Sequence, residues 1–241
     1  MSGHSKWNNI KHKKEKSDAA KAKIFTKIGK EMAVAIKAGG PDPNNNSRLR
    51  DLIAKAKANN VPNENIQRTI KKFTEQSNID FEEITYEGYG PSGVAIIVET
   101  STDNRNRTAG NVRAWFNKYG GNLGQNGCVS YLFEEKGVIT IIDEDGEIDE
   151  DKIMEDALEC GAEDILSDDG EYKIYTSTDD FAAVRDAIIS LGYTLDTADI
   201  AKVPSTYVEL ESDEDIENME KMLDKFNEDE DVNAVYHNWD M

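Results

Sequence analysis

The apolar positions change period repeatedly along the chain, and those changes divide it. From Ser17, Ile24, Ile28, Met32 and Ile36 recur every four residues as one stripe, which predicts a helix ending at Gly39-Gly40-Pro41. Leu49, Leu52, Ile53 and Ala56 predict a second helix capped by Ser47. Ile66, Ile70 and Phe73 predict a third, with Pro62 in its first turn. After Ser77 the alternation is strand-like over 83–86, and a compact apolar run follows at 94–99. Helical spacing returns over 104–119 with Val112, Trp115, Phe116 and Tyr119 on one side, and a strand is expected at 129–133.

The next segment reads as a unit in itself. Strand 138–142, helix 151–160, strands 162–166 and 172–176, helix 179–191 capped by Thr178, and strand 194–200 give the order βαββαβ of the ferredoxin-like split unit. The remainder predicts a strand at 207–210, a helix at 213–227 and a strand at 232–236. Joined to 94–99, 104–119 and 129–133, these make a second βαββαβ set interrupted by the first. The expected fold class is α+β: an N-terminal helical domain followed by two ferredoxin-like α/β domains, one inserted in the other. The expected boundaries are 1–80, then 81–133 with 205–241, and the insertion 134–204.

Charge sharpens this division. The chain of 241 residues has a net charge of −20, yet residues 1–80 hold 17 Lys and Arg against 8 Asp and Glu, a balance of +9. Residues 81–241 hold 11 against 40, a balance of −29. Such asymmetry points to nucleic acid or an anionic surface as partner of the basic part, with the acidic part repelled by it. The alternative is that basic helices pair with acidic domains inside the protein. No apolar run of eighteen residues is present, the first twenty residues lack an apolar signal core, and the two cysteines form no C-x-x-C pair, so a cytoplasmic protein with reduced thiols is expected.

Candidate contacts follow from the cations. The arm carries Lys6, Lys11, Lys13, Lys14 and Lys16, continued by Lys21, Lys23, Lys27 and Lys30, with His4, Trp7 and His12 among them. Lysine meets phosphate as a flexible point charge, and an indole stacks on an unpaired base. A second cluster, Arg105 and Arg107 with Arg113 two turns on, lies at a helix start where open N–H groups favour an anion. Asp103 as a simple cap paired with one of these arginines is the competing reading. Gly88-Tyr89-Gly90-Pro91-Ser92-Gly93 fits G-x-G-x-x-G by letter, but a strand rather than a helix follows it, so a turn is expected. The loop from Gly120 to Gly127 reads either as a ligand contact or as a flexible connection.

Catalytic constellations are missing. His4, His12 and His237 lack zinc-ligand spacing, and neither a nucleophile elbow nor a Walker loop is present. No enzyme activity, cofactor, metal or small-molecule substrate is expected.

Several motifs in order carry a resemblance. Gly3-His4-Ser5-Lys6-Trp7 with Ile10-Lys11-His12, then Lys23-Ile24-Phe25, Tyr86-Glu87-Gly88-Tyr89-Gly90-Pro91, Asp103-Asn104-Arg105-Asn106-Arg107-Thr108 and Gly120-Gly121-Asn122-Leu123-Gly124 closely resemble the YebC/PmpR family. The resemblance implies three domains with the third inserted in the second. It also implies a non-catalytic regulator of gene expression. The family's older label is DNA-binding transcriptional regulator. A mitochondrial relative activates translation of cytochrome oxidase, and bacterial members resemble ribosome-bound factors that ease difficult peptide bonds, notably at proline runs. The expected partner is therefore ribosomal RNA on the ribosome, with DNA as the alternative. No dimerisation seam is evident, so a monomer is expected.

Overall fold

A computed structural model describes residues 18–75, 80–143 and 146–240. In chain order the elements are α1 (Asp18–Gly39), α2 (Ser47–Ala58), α3 (Asn63–Glu75), β1 (Glu82–Tyr89), β2 (Ala95–Thr102), α4 (Arg105–Lys118), β3 (Asn122–Leu123), β4 (Phe133–Ile142), α5 (Glu150–Glu159), β5 (Asp164–Asp168), β6 (Glu171–Thr176), α6 (Phe181–Ser190), β7 (Thr197–Pro204), β8 (Val208–Glu209), α7 (Asp213–Glu228), β9 (Val232–His237) and β10 (Trp239–Asp240). The fold is α+β, with N-terminal helices followed by sheets. It resolves into two compact units. One takes the described residues up to Ser130 together with Leu210–His237; the other takes Tyr131–Glu209 and residues 238–240.

In the first unit, the four-residue stripe of α1 is buried as its spacing requires. Ile28, Met32, Ala35 and Ile36 meet Leu49, Leu52 and Ala56 of α2 and Ile66 and Ile70 of α3 in one core. The cap of α2 is Asn46 rather than Ser47: its side-chain oxygen accepts from Leu49 N–H at 3.0 Å while its amide donates to the carbonyls of Ala35 and Gly40. The asparagine amide supplies two donors besides the accepting oxygen, where a serine hydroxyl has one. The α2–α3 turn is closed by Asn60 at φ 58, with Val61 N–H on the Ala56 carbonyl and Asn60 N–H on that of Lys57, the bonding of a Schellman end.

The same unit holds a four-stranded antiparallel sheet in the order β3-β1-β2-β9. Helices α4 and α7 bury Val112, Phe116, Met219, Met222, Leu223 and Phe226, and Phe226 meets Trp115 edge-on at 5.7 Å and Phe116 at 5.2 Å. Strand membership differs from the sequence expectation. Residues 129–133 do not enter this sheet, because Ser130–Leu132 forms a 3₁₀ turn and Phe133 begins the unbroken ten-residue β4. Tyr207–Leu210 does not enter it either, since Val208 and Glu209 pair in parallel with Trp239 and Asp240. β1 takes the inner position instead, and the short β3 takes the edge. The close approach of β3 explains two glycines: a Cβ on Gly88 would meet the Asn122 carbonyl at 2.6 Å, and one on Gly121 would meet that of Tyr89 at 2.5 Å.

The second unit has the expected βαββαβ order, with its sheet arranged β5-β6-β4-β7 and all pairs antiparallel. Ile139, Ile141 and Ile174 pack under Ile153, Ala157, Val184 and Ile188 of α5 and α6. Asp169 and Gly170, at φ 44 and 81, make the two-residue β5–β6 hairpin. Thr178 is not the α6 cap; that position is Asp180, whose backbone N–H is bound by Ser177 Oγ at 3.0 Å.

Candidate nucleic-acid interface

His4, Lys6, Trp7, Lys11, His12, Lys13, Lys14 and Lys16 lie outside the described residues. Lys21 lies in α1, and its side chain is likewise outside what is described. Lys23 is half-buried. One helical turn further, Lys27 Nζ donates to the Asn227 carbonyl at 3.0 Å. Lys30 then reaches the Glu230 carbonyl at 2.9 Å and Asp231 Oδ1 at 2.7 Å. The helix that continues the lysine arm is thus tied to the α7–β9 turn.

Asp231 gathers the two cation clusters. It is only 4% exposed, and besides Lys30 it accepts from Arg107 Nη2 at 2.6 Å, Arg107 Nε at 3.3 Å and Thr108 Oγ1 at 2.8 Å. Burial alone would raise its pKa, but the hydrogen bonds from Lys30, Arg107 and Thr108 outweigh burial and hold it at about 2. The same bond with Asp231, and a second with Asp103 at 2.9 Å, raise the pKa of Arg107 further. The shallow cleft around this pair is lined by Lys30, Phe81, Asp103, Arg107, Asp229, Glu230 and Asp231. With four carboxylates against two cations, it is a clamp between α1, α4 and the α7–β9 turn.

The three predicted arginines therefore separate. Arg107 is committed to the clamp, as the competing reading of Asp103 anticipated, although the cap of α4 is Asn104, whose side chain accepts from Arg107 N–H at 3.1 Å. Arg105 and Arg113 are exposed, and among the described residues neither is joined by an ion pair. Both charges act on Tyr86, a residue the sequence reading did not single out. Its hydroxyl is buried without a hydrogen-bond partner, and burial raises its pKa against their opposing effect.

Glu87 was also missed. It is a buried carboxylate on β1, with Oε1 accepting from Gly127 N–H at 2.8 Å and Oε2 from Val129 and Ser130 N–H at 2.9 Å each. Burial pushes its pKa up, yet these bonds prevail and lower it. Nothing in sequence announces such a role, beyond a charged residue set between Tyr86 and a glycine that cannot accept a Cβ. Asp231 is hidden for another reason: it closes the run Glu228-Asp229-Glu230-Asp231, in which each carboxylate looks alike.

Among the described residues, no group of His, Cys, Asp and Glu is arranged to hold a metal, and no helix is long and apolar enough to cross a membrane. The thiols of Cys128 and Cys160 are both pushed up by burial, followed by neighbouring carboxylates.

Residues 5–76 match the model of the TACO1/YebC protein N-terminal domain, and residues 81–239 match that of the TACO1/YebC second and third domain. The chain is 53% identical over 241 residues to a "Probable transcriptional regulatory protein" of Lachnoclostridium phytofermentans and 55% identical over 241 residues to one of Agathobacter rectalis, covering 100% of each. It is similar to the crystal structure of a conserved hypothetical protein from Aquifex aeolicus, with a TM-score of 0.82 and 42% identity across 92% of this chain and 91% of that one. On these matches, which span nearly its whole length, the chain belongs to the TACO1/YebC family.

Proposed function

We propose that this protein is a non-catalytic, RNA-binding translation factor that works on the ribosome and assists peptide-bond formation at difficult stretches such as proline runs. One observation carries the reading: the helix that continues the lysine arm is fastened through Asp231 to the helix bearing Arg105 and Arg113. The helix at the arm's root and the arginines therefore act from one unit. The arm, His4, Lys6, Trp7, Lys11, His12, Lys13 and Lys14, grips phosphate and stacks on unpaired bases, with Lys21 and Lys23 at its root. Arg105 and Arg113 supply a second contact on a rigid helix. The unit of Tyr131–Glu209 holds 23 acidic against 5 basic residues, so polyanion contact is confined to the basic side.

DNA is the second reading, and the names of the relatives favour it. Its helix-turn-helix would be α2 and α3, with Asn63, Gln67, Arg68 and Lys71 facing the major groove. All four are exposed, but Arg68 pairs with Glu64 at 3.1 Å and Lys71 lies 3.8 Å from Glu75 on the same helix. Two of the four side chains that would read the groove are thus shared with carboxylates of their own helix, which weakens the helix-turn-helix reading. Sedimentation of a lysate through sucrose at low and high salt tests the assignment. Co-migration with ribosomes, released by salt, is the expected result. A promoter footprint without ribosome association would replace it with the transcriptional reading.

A further inference from the structure

The loop between β3 and the 3₁₀ turn is held far more firmly than a connection requires. Of the three amides bound by Glu87, those of Gly127 and Val129 belong to it and that of Ser130 opens the turn that follows. Gly124 N–H donates to the Glu87 carbonyl at 2.8 Å, Cys128 N–H to the Gln125 carbonyl at 3.1 Å, and the Tyr89 hydroxyl to the Cys128 carbonyl at 2.9 Å. A Cβ on Gly124 would displace Cys128 Sγ, and Gly127 turns the chain at φ +88. A flexible linker needs none of this, and burying a carboxylate at 5% exposure carries a desolvation penalty that a linker has no use for.

That anchorage leaves Gln125, Asn126 and Gly127 exposed. The surroundings are also unusual in charge. Residues 119–133 contain no charged side chain, in a chain where 32% of residues are charged. This stretch of an acidic protein thus carries no carboxylate of its own to repel a polyanion. Two exposed carboxamides on an anchored backbone, each with donors and an acceptor, match the edges of unpaired bases and the ribose 2′-hydroxyl.

We propose that this loop is a preformed prong presenting Gln125 and Asn126 to unpaired bases of RNA, and that Glu87 is its positioning residue. The proposal rests on RNA as the partner of the neighbouring arginine-bearing helix. Glu87 never touches the RNA; it fixes the backbone that carries the two amides.

The test uses the full chain with a fluorescein-labelled stem-loop RNA in anisotropy titrations at several salt concentrations, alongside a duplex DNA probe. The double variant Gln125→Ala/Asn126→Ala is expected to weaken RNA binding roughly tenfold with an unchanged salt slope, because base contacts and not phosphate contacts are lost. Glu87→Gln is expected to give the same loss and, in addition, faster hydrogen exchange at the Gly127, Val129 and Ser130 amides. Wild-type affinity in the tip variant overturns the proposal. So does a loosened loop in Glu87→Gln with affinity retained, or an equal loss on duplex DNA. Should Glu87→Gln fail to fold, the tip variant decides alone, since it changes only exposed side chains. The arm variant Lys11→Glu/Lys13→Glu/Lys14→Glu separates the two levels. If it loses RNA while the tip variant does not, the prong alone falls. A wild-type chain that binds neither stem-loop RNA nor ribosomes removes the functional reading itself.

Discussion

Replacing Asp231 with asparagine isolates the clamp that fastens α1 to α4 and β9. The side chain keeps its shape but loses the charge facing Lys30 and Arg107. Its pKa falls from an ordinary 3.8 to about 2, and that displacement corresponds to about 2.5 kcal/mol of stabilisation near neutral pH. A fully buried pair that loses one partner costs about 3–5 kcal/mol, because the other charge is stranded. Here the Arg107 side chain is 46% exposed and can rehydrate, so the smaller figure applies. Asp231→Asn is therefore expected to destabilise the first unit by about 2 kcal/mol at pH 7. The native carboxylate is more acidic than the unfolded one, so its contribution is complete above pH 4–5 and fades as pH falls from 3.8 towards 2. At pH 3 about half of it is left. Urea unfolding followed by circular dichroism, for wild type and variant at pH 7 and pH 3, measures both figures, reading whichever transition the substitution moves. A difference below about 0.5 kcal/mol at pH 7 would refute the clamp. So would a difference that stays constant between the two pH values.

The other expectations are shorter. Arg105→Gln/Arg113→Gln should weaken RNA binding and lower its salt slope by about one to two while leaving the melting temperature in place; Arg107→Gln should instead lower stability by about 1–3 kcal/mol, and urea titration beside anisotropy separates the two. Lys11→Glu/Lys13→Glu/Lys14→Glu should abolish nucleic-acid association at physiological salt, as read by filter binding. Phe226→Ala removes a ring packed on both Trp115 and Phe116 and should cost about 3–5 kcal/mol in urea unfolding. Gly137→Ala, on β4, places a methyl against Thr176 Oγ1 and 2.6 Å from the Phe181 ring of α6, and should cost about 1–3 kcal/mol, confined to the second unit.

Long, strongly periodic segments were legible from the sequence. The stripe Ile28, Met32 and Ile36 specifies a buried helix face wherever α1 packs, and the βαββαβ order of the second unit follows from period changes alone. Strand partnership was not legible in the first unit. The apolar run at 129–133 looks like a strand, but Glu87 takes its amides, and Phe133 belongs to the next strand. Tyr207–Leu210 has the composition of a strand, yet its partner is the distant Trp239-Asp240 pair, which no local pattern announces. Among the site residues, the arginine cluster was visible but its division was not. Arg105 and Arg107 sit on opposite sides of α4, and only the position of β9 decides that one meets Asp231 and the other solvent.

The inserted second unit also bears on how the first one assembles. β2 must pair with β9, and the chain between Thr102 and Val232 is long. Within the insertion, Phe133 pairs with Pro204, and Ser205 N–H reaches the Leu132 carbonyl at 2.8 Å. Once that unit has folded, its entry and exit are a single hydrogen bond apart, and the loop that β9 has to close is cut to less than half. Because closure entropy grows only logarithmically, the gain is about 0.7 kcal/mol. The insertion thus behaves as a clasp rather than a strut. On a growing chain it can close first and hand β9 back near β2, while later loss of its fold would cost the first sheet, through the chain connection alone, less than the loss of one buried methyl group.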